Sequence, residues 1–88
     1  MDKLVFFANE YVEEDWKTYV KCFDTVNTTI DGIPQDIVNA VLTVLGPVTG
    51  LSWLKSPLST FNGKTVAELV LTEKGEKAIK AFIMRLPN

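Results

Sequence analysis

Residues 52–88 read SWLKSPLSTFNGKTVAELVLTEKGEKAIKAFIMRLPN, and this segment contains the most closely spaced structural signals in the 88-residue chain. A short helix over residues 48–55 leads into it, because Pro57 disfavours helical backbone in the residue before it. Trp53 on this helix is predicted to be a core residue, since a buried Trp contributes a large apolar area.

A turn and a helix start follow Pro57. The Asn62-Gly63 pair predicts a turn, because Gly adopts positive φ without steric cost. Thr65 and Glu68 have the spacing of a capping box, in which the Thr hydroxyl accepts from the N–H of Glu68 and the Glu carboxylate accepts from the N–H of Thr65. This box predicts a fourth helix over residues 66–71.

The last helix is predicted to begin near Glu73, with Thr72 as its cap, and to end at Pro87. Its apolar residues recur at steps of three and four, which is the spacing of one helix face. They are Ala78, Ile79, Phe82, Ile83 and Leu86. The other, non-core side of the same helix is predicted to carry Lys77, Lys80, Ala81, Met84 and Arg85.

Two more helices are predicted upstream. Apolar spacing predicts a first helix over about residues 9–23, whereas residues 3–8 (KLVFFA) are too few to distinguish an extended lead-in from an early helix start. Residues 24–32 are predicted to be a loop, and a second helix spans residues 34–45, ended by Gly46-Pro47. The predicted fold is therefore all-α, a small single-domain bundle of about five helices.

The composition is that of a folded protein. Apolar residues make up 47% of the chain and charged residues 23%, which is close to the usual globular mix. A single cysteine, Cys22, cannot form an internal disulfide, and no apolar run approaches the roughly 20 residues of a membrane span. We expect no membrane association and a cytoplasmic location.

Several function classes are disfavoured by charge and by missing residue types. The chain has no His and one Cys, so it lacks the commonest general base and the commonest zinc ligands. We therefore expect a protein that is not an enzyme and needs no cofactor or metal. Residues 1–44 carry three basic and eight acidic residues, and residues 45–88 carry six basic and three acidic residues. The acidic first half argues against nucleic acid as a partner, since phosphate neutralisation supplies most of that affinity.

The C-terminal segment resembles the toxin-binding domain of the Xre/MbcA/ParS antitoxins. The resemblance rests on the order and spacing of Trp53-Leu54, Pro57, Asn62-Gly63-Lys64-Thr65, Glu68-Leu69, Thr72-Glu73, Gly75, Ala78 and Arg85-Leu86. It covers about 55 residues and divides the chain into an N-terminal helix and loop over 1–33 and an antitoxin-like domain over 34–88. The family usually has a helix-turn-helix domain ahead of this region, and only about 33 residues precede it here, so operator binding is not expected.

The resemblance implies a protein–protein interaction module that neutralises a toxin enzyme, often one of the NAD-consuming RES class, by covering its active-site entrance with the end of the last helix. The implied partner-binding residues are Lys77, Lys80, Ala81, Met84, Arg85 and Asn88. Ordinary solvated helix surface explains the same residues equally well. A second hypothesis is a phage- or mobile-element-encoded inhibitor or adaptor that binds another macromolecular machine, and a DNA-binding regulator is a less favoured third.

The first 23 residues are rich in aromatic side chains. Their aromatic surface exceeds what a core of this size obviously needs, and it could form a homodimer interface. The residues concerned are Phe6, Phe7, Trp16 and Tyr19. Intramolecular packing accounts for them equally well.

Overall fold

Six α-helices and one 3-10 helix are present within residues 2–86, the part of the chain that the computed structural model describes. The helices are α1 (Lys3–Glu10), α2 (Glu13–Val20), α3 (Gln35–Leu45), α4 (Pro47–Lys55), α5 (Val66–Leu69) and α6 (Glu73–Ile83), and the 3-10 helix (Ser59–Phe61) lies between α4 and α5. The all-α class is confirmed, with six helices in these residues where about five were predicted. None of the six is both long and apolar enough to cross a bilayer.

The first predicted helix, residues 9–23, is wrong in its bounds, because two helices occupy residues 3–20. Asp2 caps α1 by accepting a 2.9 Å hydrogen bond from the N–H of Leu4, so residues 3–8 are an early helix start. Tyr11 and Val12 are extended and separate α1 from α2. The three acids at residues 13–15 then lie in the first turn of α2, where the helix dipole favours negative charge.

The turn residues act as the sequence predicts. Gly46 has a φ of 90°, a value that ends α3 and that other residues rarely adopt. Pro34 precedes α3, and Pro47 is the first residue of α4, so these helices begin one residue later and one residue earlier than predicted. The chain reverses at Asn62-Gly63, both with positive φ, and the N–H of Leu58 donates to the carbonyl of Lys64 at 3.0 Å.

The capping box at Thr65 and Glu68 is confirmed, although α5 ends at Leu69, before the predicted residue 71. Thr72 caps α6 by accepting a 3.0 Å hydrogen bond from the N–H of Gly75. The prediction that this helix continues up to Pro87 is wrong, because α6 ends at Ile83 and residues 84–86 are not α-helical. The N-terminal turn of α6 packs so tightly on the end of α5 that only a glycine fits at position 75.

One hydrophobic core joins the two ends of the chain. α1 packs against α6 more extensively than any other pair of helices pack together. Phe7 of α1 meets Phe61 and Phe82 edge to face, with ring centroids 5.8 and 5.3 Å apart. Trp16 of α2 is 2% exposed and its indole N–H donates to Asp36 of α3 at 2.9 Å. Phe7 and Trp16 are therefore core residues of a single chain, and the homodimer interface stays a prediction.

Candidate protein-binding surface

The predicted site residues on α6 are less accessible to a partner protein than residues on an exposed helix face would be. Lys77 is exposed and forms an ion pair with Glu73 at 3.2 Å. The side chain of Lys80 is only 13% exposed, and its ammonium lies 3.0 Å from a carboxylate oxygen of Glu76. The same ammonium lies 5.9 Å from the ring centroid of Tyr11 and 5.4 Å from that of Trp16, within the range of cation–π attraction. Lys80 is therefore packed into the fold.

The prediction that Ala81 lies on the non-core side of α6 is wrong, because Ala81 is buried at 5% exposure. One turn later, Arg85 forms an ion pair with Glu10, the last residue of α1. Its guanidinium also lies 5.8 Å and 5.4 Å from the ring centroids of Phe6 and Phe7. Because α1 covers this side of α6, the helix has buried residues on two sides and only a narrow exposed strip.

Two more predicted residues lie at or beyond the end of α6. Met84 is partly buried against the core, and Asn88 lies outside the described residues. The structure thus brings Met84 and Arg85 together at the C-terminal end of α6, beside α1. Lys77 lies near the N-terminal end of α6, where it helps to line a shallow groove against Ala8 and Asn9 of α1.

The larger concave surface is a groove of about 620 Å³ between α4, the residues around the 3-10 helix, and α6. Its apolar lining residues are Val48, Trp53, Pro57, Leu58 and Phe82. The indole of Trp53 is stacked nearly parallel on the ring of Phe82, with centroids 6.2 Å apart and an interplanar angle of 4°. Val48, which also lines the groove, is 83% exposed and adds apolar surface next to solvent. We name this surface the Trp53 groove.

The prediction that Trp53 is a core residue is correct only in part, because Trp53 packs against the core but is not fully buried. Its neighbour Leu54 is the buried residue, at 1% exposure, and Trp53 is partly exposed. Consecutive helical residues point in different directions, so Leu54 and Trp53 differ in how far they face the core. The indole is left at the wall of the groove, where it can contact a second molecule.

The remaining lining residues of the Trp53 groove carry hydroxyl groups. They are Thr49, Ser52, Ser56, Ser59 and Thr60. Within residues 2–86 only the hydroxyl of Ser56 is engaged, donating to the carbonyl of Ser52 at 2.7 Å. Among the described residues, no charged side chain lines the groove. The surface therefore offers an apolar wall and free hydrogen-bonding groups, the combination that suits a peptide backbone with an apolar side chain.

A polar cluster links α2, α3 and α6 on the side of Lys80. The pKa of Tyr11 is raised above its usual value of 10.0, chiefly by burial. The hydrogen bond that the Tyr11 hydroxyl donates to Glu13 raises it further, as do the negative charges of Glu13, Glu76 and Asp36. The phenol therefore stays a hydrogen-bond donor throughout the physiological range. Within residues 2–86 no group of three or more His, Cys, Asp or Glu residues is placed to hold a metal ion.

No family model, curated protein or solved structure matches this chain. The antitoxin resemblance therefore stays a hypothesis that rests on the spacing of residues in the C-terminal segment. Sequence reasoning missed the Trp53 groove, because it assigned Trp53 to the core. The signal that could have revealed it is the run of Ser and Thr residues around Trp53, which line a surface rather than fill an interior.

Proposed function

We propose that this protein is a non-enzymatic binding module that neutralises a partner enzyme by occlusion, in the manner of an antitoxin. The observation that carries the proposal is the Trp53 groove. It lies within the segment that resembles the antitoxin domain, and Phe82 of α6 forms one of its walls. Aromatic side chains at the centre of a concave, partly apolar surface are the residues that most often dominate protein–protein affinity.

The end of α6 is a second candidate contact, because the resemblance assigns toxin binding to the end of the last helix. Met84 and Arg85 lie there, two and three residues after Phe82. The guanidinium of Arg85 lies beside Glu10 and two Phe rings, and its side chain is 51% exposed, so a partner can reach it. The resemblance points to an NAD-consuming RES-type toxin as the class of enzyme.

Co-expression with the product of the adjacent gene tests this function. The wild-type chain should restore growth and cellular NAD, and the two proteins should co-purify. Trp53→Ala should weaken the complex about 10- to 100-fold, as for a central aromatic contact. Leu71→Ala is the matched control, because Leu71 is 82% exposed and does not line the groove. Failure of the wild-type chain to restore growth or to co-purify would refute the antitoxin function.

A further inference from the structure

The polypeptide around the Trp53 groove is free of acidic residues over a long stretch. From Ile37 to Ala67 the sequence contains no Asp or Glu and two lysines, Lys55 and Lys64. All lining residues of the groove except Phe82 come from this stretch. In a chain with a net charge of −2, the stretch that supplies nearly all of the groove thus carries a local net charge of +2.

Both lysines are placed next to lining residues. Lys55 is the last residue of α4 and directly precedes Ser56. Lys64 is paired through the backbone with Leu58, whose N–H donates to the Lys64 carbonyl at 3.0 Å. Both lysines are exposed, and neither forms an ion pair with a residue in 2–86.

The acid closest to these lysines along the chain is already engaged. Glu68 accepts hydrogen bonds from the N–H and hydroxyl of Thr65, at 2.9 and 3.2 Å. Its carboxylate therefore serves the start of α5. Three other lysines form ion pairs with Glu residues on their own helices. They are Lys17, Lys77 and Lys80. Lys55 and Lys64 form no such ion pair among the described residues, although the charge of Lys64 contributes to lowering the pKa of Glu68.

From this arrangement we infer that the Trp53 groove binds a segment of a partner protein in which an aromatic or large aliphatic residue is flanked by Asp or Glu. The apolar residue packs on the stacked Trp53 and Phe82 rings, and the free hydroxyls meet the peptide backbone. The flanking carboxylates then lie near Lys55 and Lys64. Rim charges of this kind add modest affinity and select against basic segments. The inference rests on the proposed function only in taking the partner to be a protein.

Two other occupants fit the groove less well. A single-stranded nucleic acid could stack a base on Trp53, but two lysines would neutralise only about two phosphates, and the affinity of such complexes comes mainly from phosphate contacts. A second copy of this chain carries acids at residues 13–15 beside the half-exposed Val12. A single such contact would join two different surfaces and leave a free acidic segment on one copy and a free groove on the other, so it favours open-ended assembly over a closed pair.

Titration with short blocked peptides tests the inference on the purified full chain. The probes are Asp-Glu-Phe-Leu-Glu-Asp, the isosteric Asn-Gln-Phe-Leu-Gln-Asn, and Asp-Glu-Ala-Ala-Glu-Asp. Binding is followed by the indole N–H signal of Trp53 in nitrogen–proton correlation spectra, assigned with Trp53→Phe. The acidic Phe-Leu peptide should move this signal with a Kd below about 1 mM. The isosteric amide peptide should bind about three- to tenfold more weakly, as expected for two solvent-exposed charge pairs.

Charge-reversal variants test whether the preference for the acidic peptide depends on Lys55 and Lys64. The double variant K55E/K64E should lose the preference for the acidic peptide or invert it. K21E/K74E changes the net charge equally at exposed lysines outside the groove, and it should keep the preference within about twofold, because distant charges are screened beyond roughly 10 Å. Equal binding of the acidic and amide peptides, no shift of the Trp53 signal, or full preference in K55E/K64E would overturn the inference.

Two further outcomes would assign the groove to another occupant and also overturn the inference. One is an oligothymidylate that moves the Trp53 signal at lower concentrations than the acidic peptide. The other is a dimer mass by light scattering whose formation moves the Trp53 signal without any peptide. The co-expression test stays separate: growth rescue that survives K55E/K64E would leave the antitoxin function standing and remove this inference alone.

Discussion

Replacing Gly75 by Ala should destabilise the protein more than any other single-methyl addition at a helical glycine. A β-carbon at this position would lie 2.9 Å from the carbonyl carbon of Leu69 and 2.9 Å from the hydroxyl oxygen of Thr72, and closer still to the Leu69 carbonyl oxygen. These groups are the end of α5 and the cap of α6, so α6 would have to move away from α5. Overpacking of this kind costs about 1–3 kcal/mol, and a rigid backbone obstacle places it at the upper end.

The net change is smaller than the steric cost, because Ala is favoured over Gly in a helix by about 1 kcal/mol. We expect the free energy of unfolding to fall by about 2 kcal/mol, out of a total of roughly 4–13 kcal/mol for 88 residues. The midpoint of thermal unfolding should fall by about 8–16 °C. Urea unfolding followed by far-UV circular dichroism measures the change.

Gly50→Ala is the matched control, since Gly50 is also helical and buried. Its nearest obstacle is the Cδ2 atom of Leu42 at 2.8 Å, the end of a flexible side chain, followed by two backbone atoms, the Val41 carbonyl oxygen at 3.0 Å and the Leu42 Cα at 3.1 Å. Rotation of the Leu42 side chain can relieve the first contact, and the backbone contacts require a shift of only a few tenths of an ångström. This variant should therefore lose about 1 kcal/mol or less. If Gly75→Ala is as stable as the wild type, or if Gly50→Ala is the more damaging change, the packing argument at the α5–α6 corner is wrong.

Three further predictions test other contacts. Hydrogen bonds from Thr65 lower the pKa of Glu68 below its usual 4.5. The stability that the ionised Glu68 carboxylate contributes is therefore present above pH 4.5 and is lost as pH falls through the lowered pKa. The free energy of unfolding of Glu68→Gln should depend less on pH in that acidic range. A double-mutant cycle on Glu10 and Arg85, with both changed to Ala, should give a coupling free energy of about 0.5 kcal/mol that decreases with salt. A coupling of zero at low salt would show that α1 is not held by this pair. Acrylamide should quench Trp53 in Trp16→Phe and leave Trp16 protected in Trp53→Phe, because Trp16 is 2% exposed and Trp53 is partly exposed.

Local signals in the sequence predicted the C-terminal half well. The Thr65–Glu68 capping box, the Thr72 cap and the Asn62-Gly63 turn depend on residues within three positions of one another, and each forms as predicted. Such short-range hydrogen bonds are encoded in the residue types and their spacing. They set where α5 and α6 begin whatever packs around them.

Long-range packing was not predictable from the same patterns. Ala81 is small enough to suit either an exposed or a buried side of α6, and it is buried because α1, some 70 residues earlier, packs there. Lys80 has an aliphatic stem that can lie along aromatic rings while its ammonium meets Glu76. The periodicity of α6 therefore showed one apolar face, where the fold uses two sides of the helix.

The pairing of α1 with α6 also governs when the protein can fold. During synthesis, α1 leaves the ribosome long before α6, its main packing partner, and Phe7 has no access to Phe82 until the last helix is complete. Most helical bundles fold rapidly because their contacts are local, whereas this core closes through contacts between its first and last helices. We therefore expect the core to close only after α6 has been made, and a proteolytic cut within either helix to disrupt the packing of both.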